Sequence, residues 1–456
     1  MTIPKRILRM HPATIVLLSF LLTILVGALL LKLPISSTSE PLSWLDSLFT
    51  ATSAVCVTGL IVVDTGEAFT FFGQCVILFL IQVGGLGVMT ISVALFRWFG
   101  RTLSIHQHVV MQNLFTHTPR KDIYHLLRSI LFFTLGFEAV GAVLLTLHWS
   151  GEFPFFKALW FGIFHSVSAF CNAGFALFPD SLMRYDLNLL LNLTVCGLIV
   201  AGGIGFPVLY EFQSLIFARS KKRVRLSLQT KTVLLTTAFM ILAGAGMYAY
   251  LERFTLPTNE PLSHWILIPL FQSITCRTAG FNTVDFTKLH EATVAMMIFL
   301  MFIGASPGSC GGGVKTTTFA LLTAFTINRI QRSRRVNMFK KSIPTETVTR
   351  SVSLVLLSIG IIAVVVFMLL LGDPSNTIEA DGAHATFLEY LFETVSAFGT
   401  VGLSLGITPH LPNWDKGWII LTMIVGRGGV LTFSYIVVGS GTTNGVEYSE
   451  ENLMIG

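Results

Sequence analysis

A glycine-rich stretch in the third quarter of the chain has residue types that could bind phosphate. It reads SPGSCGGGVKTTT, from Ser306 to Thr318. A P-loop requires glycine, four residues and then Gly-Lys-Ser/Thr, because its backbone N–H groups surround the phosphates of a nucleotide. Gly308 and Gly313 have the required separation, but Val314 stands before Lys315. A P-loop also follows a strand, whereas the residues before this stretch, ATVAMMIFLMFIGA, form a long apolar run. We therefore predict that the chain neither binds a nucleotide here nor is an enzyme.

Four other stretches resemble one another and could coordinate a cation. Each has Phe, a polar residue and then a glycine followed by Leu or Phe, and in three of them a Ser/Thr–x–Ser/Thr pattern follows the polar residue. Glycine accepts positive φ and can turn backbone carbonyls inward, and a ring of carbonyls can replace the hydration shell of an ion. A polar position early in each copy (Thr50, His165, Gln272 or Glu393) is predicted to form a hydrogen bond behind this loop. The stretches read LFTATSAVCVTGL (48–60), IFHSVSAFCNAGF (163–175), LFQSITCRTAGF (270–281) and LFETVSAFGTVGL (391–403).

The composition places these stretches in a membrane. Of the 456 residues, 53% are hydrophobic and 12% are charged, and the mean hydropathy is +0.73. That balance excludes an ordinary soluble protein. Eight apolar runs are long enough to span a bilayer: 13–33, 72–96, 129–148, 187–217, 231–251, 289–327, 351–371 and 416–439. Between the members of each successive pair lies an apolar segment too short to cross, at 43–55, 155–170, 262–275 and 385–398.

These elements predict an all-α membrane protein with one central pore. Four consecutive units, each a span (M1), a re-entrant pore helix and a second span (M2), give eight transmembrane helices and four pore helices. Ser43 and Asp46, spaced as in a capping box, and Pro154 mark helix starts. The carbonyl end of a helix carries about half a negative charge, so four pore helices ending near one axis favour a cation. The predicted units are 1–100, 101–220, 221–345 and 346–456.

The basic residues predict the orientation in the membrane. Twenty-one of the 30 Lys and Arg residues lie in 1–12, 97–128, 219–231 and 329–350. The positive-inside rule makes these segments cytoplasmic, together with both termini, in a plasma (inner) membrane. This pattern explains the net charge of +6 without nucleic acid as a partner. The six cysteines form no CxxC pair, so neither a metal site nor a disulfide framework is predicted.

On these motifs, the chain resembles the Trk/Ktr/HKT superfamily of potassium transporters over nearly its whole length. It is most similar to the KtrB type, because it has eight spans, lacks the additional N-terminal helices of TrkH proteins and ends in the short tail EYSEENLMIG. The resemblance implies a potassium-selective filter made of four quartets. These are quartet 1 (Cys56, Val57, Thr58, Gly59), quartet 2 (Cys171, Asn172, Ala173, Gly174), quartet 3 (Arg277, Thr278, Ala279, Gly280) and quartet 4 (Gly399, Thr400, Val401, Gly402).

The resemblance also implies ions and partners. Potassium is the transported ion, sodium either activates transport or is coupled to it, and no covalently bound cofactor is expected. A homodimer with one pore in each subunit is implied, together with a cytosolic KtrA-type nucleotide-binding regulatory subunit. A different candidate is a broken-helix secondary cation symporter with alternating access. That class predicts inverted repeats, whereas these four units run in the same direction.

The run 289–327 is too long for one helix across a membrane. Its roughly 39 residues would make a helix of about 58 Å, against an apolar bilayer core of about 30 Å. We predict a break at 304–317, and the resemblance implies that this segment is an intramembrane gating loop. The predicted gate residues are Gly304, Ser306, Pro307, Gly308, Gly311, Gly312, Gly313, Lys315 and Arg427.

Two of these gate residues are basic, and their roles stay open. A charge near mid-membrane, such as Arg427, is costly and usually faces a cavity. Arg427 either forms an ion pair with a buried acid such as Glu138 or lies below the filter, repels cations and contacts the loop. Lys315 is either a second such charge or the cytoplasmic end of the loop.

Overall fold

The structure is a computed structural model, and it describes residues 12–99, 123–217, 226–253, 262–333, 335–372 and 385–429. A two-stranded antiparallel hairpin joins β1 (Asn337–Met338) to β2 (Lys341–Ser342). The helices are α1 (Pro12–Lys32), α2 (Trp44–Cys56), α3 (Thr65–Ala68), α4 (Phe71–Phe99), α5 (Ile123–Trp149), α6 (Phe155–Phe170), α7 (Leu189–Ile204), α8 (Phe206–Phe217), α9 (Leu228–Leu251), α10 (Leu262–Thr275), α11 (Glu291–Phe302), α12 (Thr316–Ile330), α13 (Thr345–Leu370), α14 (Phe387–Gly399) and α15 (Asn413–Gly428).

Three kinds of helix follow one another along the chain. We call α1, α5, α9 and α13 the outer helices and α2, α6, α10 and α14 the short helices. The inner helices are α4, the pair α7 and α8, the pair α11 and α12, and α15. The outer helices expose large apolar side chains, such as Leu22, Phe132, Leu242 and Phe367. That surface suits contact with lipid.

The helical membrane class that the sequence predicts is confirmed at a coarse level. Over the described residues, three helices are long and apolar enough to cross a membrane: Arg128–Trp149 within α5, α9 and α13. The bent pair of α7 and α8 passes the same criteria as one broken span. The count of eight spans stays a prediction.

The short helices form the centre of the molecule. Each packs against the outer helix before it, and α6, α10 and α14 also pack against the preceding inner helix. The last inner helix, α15, packs against α2 and so closes a ring. An ion pair at the start of these two helices, with Lys416 Nζ 2.8 Å from Asp46 Oδ1, supports the same closure. The chain therefore surrounds one axis with its most buried segments.

The first short helix begins where the sequence predicts. Ser43 is its N-cap: the Asp46 N–H donates to Ser43 Oγ at 3.0 Å, and Ser43 Oγ donates back to the Asp46 carboxylate at 2.6 Å. The second short helix begins after Pro154 as its N-cap residue. Ser43 thereby satisfies an N–H group that has no partner inside the helix, whereas Pro154 makes no side-chain cap hydrogen bond.

The apolar run 187–217, predicted as one span, is a pair of helices rather than a single helix. The chain bends by 95° between α7 and α8. Gly205 lies at the bend with φ +98°, which a continuing right-handed helix does not allow. The Phe206 N–H then donates 2.9 Å to the carbonyl of Gly308, so the bend gains a partner from a distant segment. Gly429, with φ +83°, ends α15 in the same way, and the rest of the predicted run to 439 lies outside the described residues.

Candidate ion pathway

The four quartets have the same backbone conformation. The second residue of each has positive φ although it carries a side chain, and the fourth is a glycine with positive φ. The third residue does not have positive φ. Such alternation points successive carbonyl groups toward the same side of the chain. The φ values are +56° (Val57), +59° (Asn172), +75° (Thr278) and +50° (Thr400), and for the glycines +93° (Gly59), +71° (Gly174), +80° (Gly280) and +92° (Gly402).

The four glycines lie against one another in a closed ring. Each lies beside the carbonyl group of the residue just before the next glycine of the ring. A Cβ atom added to any of them would therefore overlap that carbonyl, so only glycine fits. The distances from such a Cβ to the carbonyl oxygen are 2.4 Å for Gly59 to Ala173, 2.9 Å for Gly174 to Ala279, 2.4 Å for Gly280 to Val401 and 2.1 Å for Gly402 to Thr58.

One hydroxyl group of each short helix supports its own quartet. Ser53 Oγ accepts from the Gly59 N–H at 3.0 Å, and Ser396 Oγ accepts from the Gly402 N–H at 3.1 Å. In the other two copies the hydroxyl donates to the residue after the glycine: Ser168 Oγ to Phe175 O at 2.8 Å and Thr275 Oγ1 to Phe281 O at 2.5 Å. These hydroxyls belong to the four similar stretches, but residue type alone does not identify their partners.

A second polar position ties three short helices to the chain beyond their quartets. His165 Nε2 accepts from the Leu177 N–H at 3.2 Å, and Gln272 Nε2 donates to Thr283 Oγ1 at 2.9 Å. Glu393 accepts from the Thr408 hydroxyl at 3.0 Å and from Ser404. The predicted hydrogen bond is therefore confirmed for these three side chains. The fourth, the hydroxyl of Thr50, has no partner within the described part of the chain.

The segment between α11 and α12 leaves the helical conformation at 303–315, where the length of the run predicts a break. A parallel bridge between Ile303 and Val314 brings its two ends together. We call residues 303–315 the crossing loop. It contacts the second inner helix, because Ser306 N–H donates to Gly203 O at 3.1 Å and Cys310 N–H donates to Gly202 O at 3.3 Å.

The crossing loop lies directly against quartets 3 and 4. The Gly312 N–H donates 2.9 Å to Thr400 Oγ1. A Cβ added to Gly311 would lie 2.2 Å from Thr278 Oγ1. Both threonines are second residues of their quartets, so the loop covers one end of the ring of carbonyls.

Two basic side chains hold three successive carbonyls of this loop. Arg427 is 8% exposed and donates to Cys310 O, and it also donates to Gly84 O at 2.5 Å. Lys315 Nζ donates to Gly311 O at 2.7 Å and to Gly312 O at 3.3 Å. Lys315 also immediately precedes α12, at the end of the crossing loop, and both roles predicted for it stay predictions.

The alternative ion pair between Arg427 and Glu138 is wrong. Glu138 Oε2 instead accepts from Gln82 Nε2 at 3.3 Å. None of the ion pairs among the described residues joins Glu138 to Arg427. Arg427 therefore bonds to carbonyl groups, which leave its charge unneutralised.

Asp285, which follows quartet 3 in the chain, caps a short turn. The hydrogen bond from Thr287 is the main cause that lowers the pKa of Asp285 below its ordinary value. Lys288 Nζ lies 3.1 Å from the Asp285 carboxylate and acts in the same direction. The carboxylate is thus ionised at neutral pH, although its lysine neighbour offsets part of the charge.

Comparisons with known proteins give a consistent result. A family model, TrkH, described as a cation transport protein, matches residues 7–440. Ktr system potassium uptake protein B of Vibrio alginolyticus is 39% identical over 446 residues, which cover 97% of this chain and 94% of that protein. The protein of the same name from Bacillus subtilis (strain 168) is 36% identical over 453 residues, covering 98% of this chain and 97% of that protein.

The chain is also similar to a third relative and to a solved structure. Potassium/sodium uptake protein NtpJ of Enterococcus hirae is 35% identical over 463 residues, covering 100% of both chains. The solved structure of the potassium transporter TrkH from Vibrio parahaemolyticus superposes with a TM-score of 0.71 at 20% identity. It covers 95% of this chain and 86% of that one, so the two share a fold.

Proposed function

This chain belongs to the TrkH family of cation transport proteins, and we propose that it takes up potassium across the plasma membrane through one pore at its centre. The observation that carries the proposal is the closed ring of four glycines and carbonyl groups. Its relatives named as potassium uptake proteins support potassium as the ion, and the chain is not an enzyme.

The quartets would form the selectivity filter. Eight quartet residues, the second and the fourth of each quartet, have positive φ, which turns successive carbonyls to one side. Carbonyl oxygens can replace the water around a potassium ion. The short helices end at the quartets, so their negative carbonyl ends favour a cation there. Four units around one pore, as the packing of each short helix on two neighbours supports, would supply one quartet each.

The crossing loop would be the gate. It lies against two quartets and is held by Arg427 and Lys315, so in this position both glycine-rich backbone and positive charge would obstruct a cation. A fixed charge in low-dielectric surroundings acts strongly on a passing ion. Opening therefore requires the loop and its two basic side chains to leave the axis together.

Partners and coupled ions follow from the relatives. The name of the Vibrio and Bacillus relatives refers to a Ktr system, which supports a further component such as a KtrA-type nucleotide-binding subunit. The name of the Enterococcus relative includes sodium, which supports sodium as activator or coupled ion. We also propose a homodimer and cytoplasmic termini.

A symport mechanism is the second candidate. Broken inner helices, at Gly205 and at the crossing loop, are the feature that broken-helix symporters share. The four units that run in the same direction favour a pore instead.

Uptake measurements in cells that lack their own potassium uptake test the proposal. Cells that express the chain should take up potassium, and the rate should be compared with and without sodium. Sodium uptake at a fixed ratio to potassium would favour symport, whereas stimulation without sodium uptake would favour activation. Failure to support any potassium uptake, with the protein present in the membrane and its regulatory partner supplied, would contradict the proposal.

A further inference from the structure

The side chain of Arg277 has no role in the ring of carbonyls. Arg277 is the first residue of quartet 3, and its guanidinium is 7% exposed. Its Nε is fully enclosed and has no hydrogen-bond partner. None of the hydrogen bonds or ion pairs found among the described residues includes this side chain. Arg277 is one of the residues that line a cavity.

A second unpartnered donor lines the same cavity. Thr237, on the outer helix α9, is 7% exposed, and its hydroxyl has no partner within the described residues. A guanidinium only donates hydrogen bonds, and a hydroxyl can donate one. Arg277 Nε and the Thr237 hydroxyl thus lack partners in two residues that line one cavity, which calls for a ligand that accepts hydrogen bonds. The rest of the wall is mostly apolar and includes Ile199, Ile241, Ile274 and Ala305.

The charge of Arg277 narrows the class of ligand. A guanidinium stays protonated in proteins, and a buried charge is normally paired. The carbonyl end of α10, which ends at Thr275, contributes about half a negative charge and leaves the site positive. A water molecule would accept from both donors but would leave this charge uncompensated. An anion would accept both hydrogen bonds and would also compensate the charge.

The size of the cavity further limits the class of ligand. The volume open to the centre of a water-sized sphere is about 10 Å³. Roughly 10–15 Å³ by this measure holds one water molecule, so phosphate, carboxylate and lipid headgroups do not fit. We propose that Arg277 and Thr237 bind one monatomic anion of the halide class between α7, α9 and α10. This site goes beyond the proposed function, since a halide can be located whether or not the chain carries potassium.

Bromide is the probe for this site, because it scatters X-rays anomalously and can replace chloride. Crystals of the full chain grown in potassium bromide should show an anomalous peak within hydrogen-bonding distance of the Arg277 guanidinium. In solution, the midpoint of thermal unfolding should rise with bromide or chloride relative to gluconate, at constant potassium concentration and ionic strength. The rise should saturate with halide concentration.

Two variants and one control test whether Arg277 and Thr237 bind the halide. Thr237→Val should weaken the apparent halide affinity several-fold, and Arg277→Gln should abolish the halide effect. Thr194→Val is the matched control, because Thr194 is a half-buried residue of α7 whose hydroxyl donates to Leu190 O and does not line the cavity, and its halide response should equal that of the unmodified chain.

Two results would contradict the proposed halide site. No bromide peak at Arg277, together with equal unfolding midpoints in halide and gluconate, would mean that the cavity holds water only. A halide effect that Thr237→Val leaves unchanged would also reject the site. If Arg277→Gln does not fold, the unmodified chain and Thr237→Val still decide the question.

Discussion

Replacement of Gly402 by serine should damage potassium selectivity more than the same change at any other glycine of the ring. The added Cβ would lie 2.1 Å from the Thr58 carbonyl oxygen, whereas real Cβ contacts are essentially never under 3.0 Å. The backbone must therefore move by about 0.9 Å at this point. In addition, Gly402 has φ +92°, where a side chain adds strain of about 1–3 kcal/mol.

That strain sets the size of the expected effect. The strain can be relieved by a displacement of the Thr58 carbonyl. In that case the free-energy difference that favours potassium over sodium falls by up to the amount of the strain. About 1–3 kcal/mol corresponds to a loss of roughly 5- to 150-fold. The distances predict an order: Gly402→Ser most severe, then Gly59→Ser and Gly280→Ser (2.4 Å each), then Gly174→Ser (2.9 Å).

The assay is uptake of rubidium and of sodium in cells that lack their own potassium uptake, normalised to the amount of chain in the membrane. Gly136→Ser is the matched control, because nothing lies within 4 Å of a Cβ added there, and its selectivity should stay that of the unmodified chain. Unchanged selectivity in all four ring variants, or an equal loss in Gly136→Ser, would refute the assignment of the quartets as a filter.

Four further changes test the crossing loop and its supports. Deletion within Gly308–Gly313 should raise potassium flux and reduce its dependence on a regulatory partner; normal membrane insertion with equal or lower flux would show that the loop is not a gate. Arg427→Ala should raise rubidium uptake at normal expression, because it removes a charge from the path, whereas Arg427→Lys should keep the charge but lose one of the two carbonyl contacts; unchanged uptake in Arg427→Ala would contradict the electrostatic barrier. Thr400→Val should loosen the loop through loss of the Gly312 contact and raise basal flux, measured by rubidium uptake without the partner. Gly205→Ala should lower the yield of folded protein, measured by size-exclusion chromatography, because its φ is +98° and its Cβ would lie 2.7 Å from Pro307 O.

Local sequence patterns predict the parts of the molecule that local chemistry determines. The four short helices, their glycines and the N-cap at Ser43 follow from composition, spacing and capping chemistry. The helical membrane class and the potassium-transport family that the motifs indicate are also confirmed. Each of these properties depends on residues that are close together in the chain or on repetition of one motif.

Features that depend on distant backbone groups could not be predicted in this way. At the bend, the Phe206 N–H bonds to the carbonyl of Gly308, about a hundred residues away. A glycine at position 205 is compatible with a continuous helix as well as with a bend, so the sequence alone does not distinguish them. Arg427 bonds to the carbonyls of Cys310 and Gly84, and a carbonyl partner leaves no mark on residue type. Residue type therefore suggested the acidic Glu138 as a partner of Arg427, but the Glu138 side chain bonds to Gln82.

The closure of the ring within a single polypeptide removes a constraint of symmetry. In an assembly of four identical subunits, each substitution appears four times around the axis, and four copies of a loop the size of 303–315 would compete for the same space. Here α15 closes on α2, so each quarter is encoded once. One quarter carries the crossing loop, another carries Arg427, and a third carries the bend at Gly205. Division of labour among otherwise similar quarters is thus open to this chain, and a single point mutation changes one position of the proposed pore at a time.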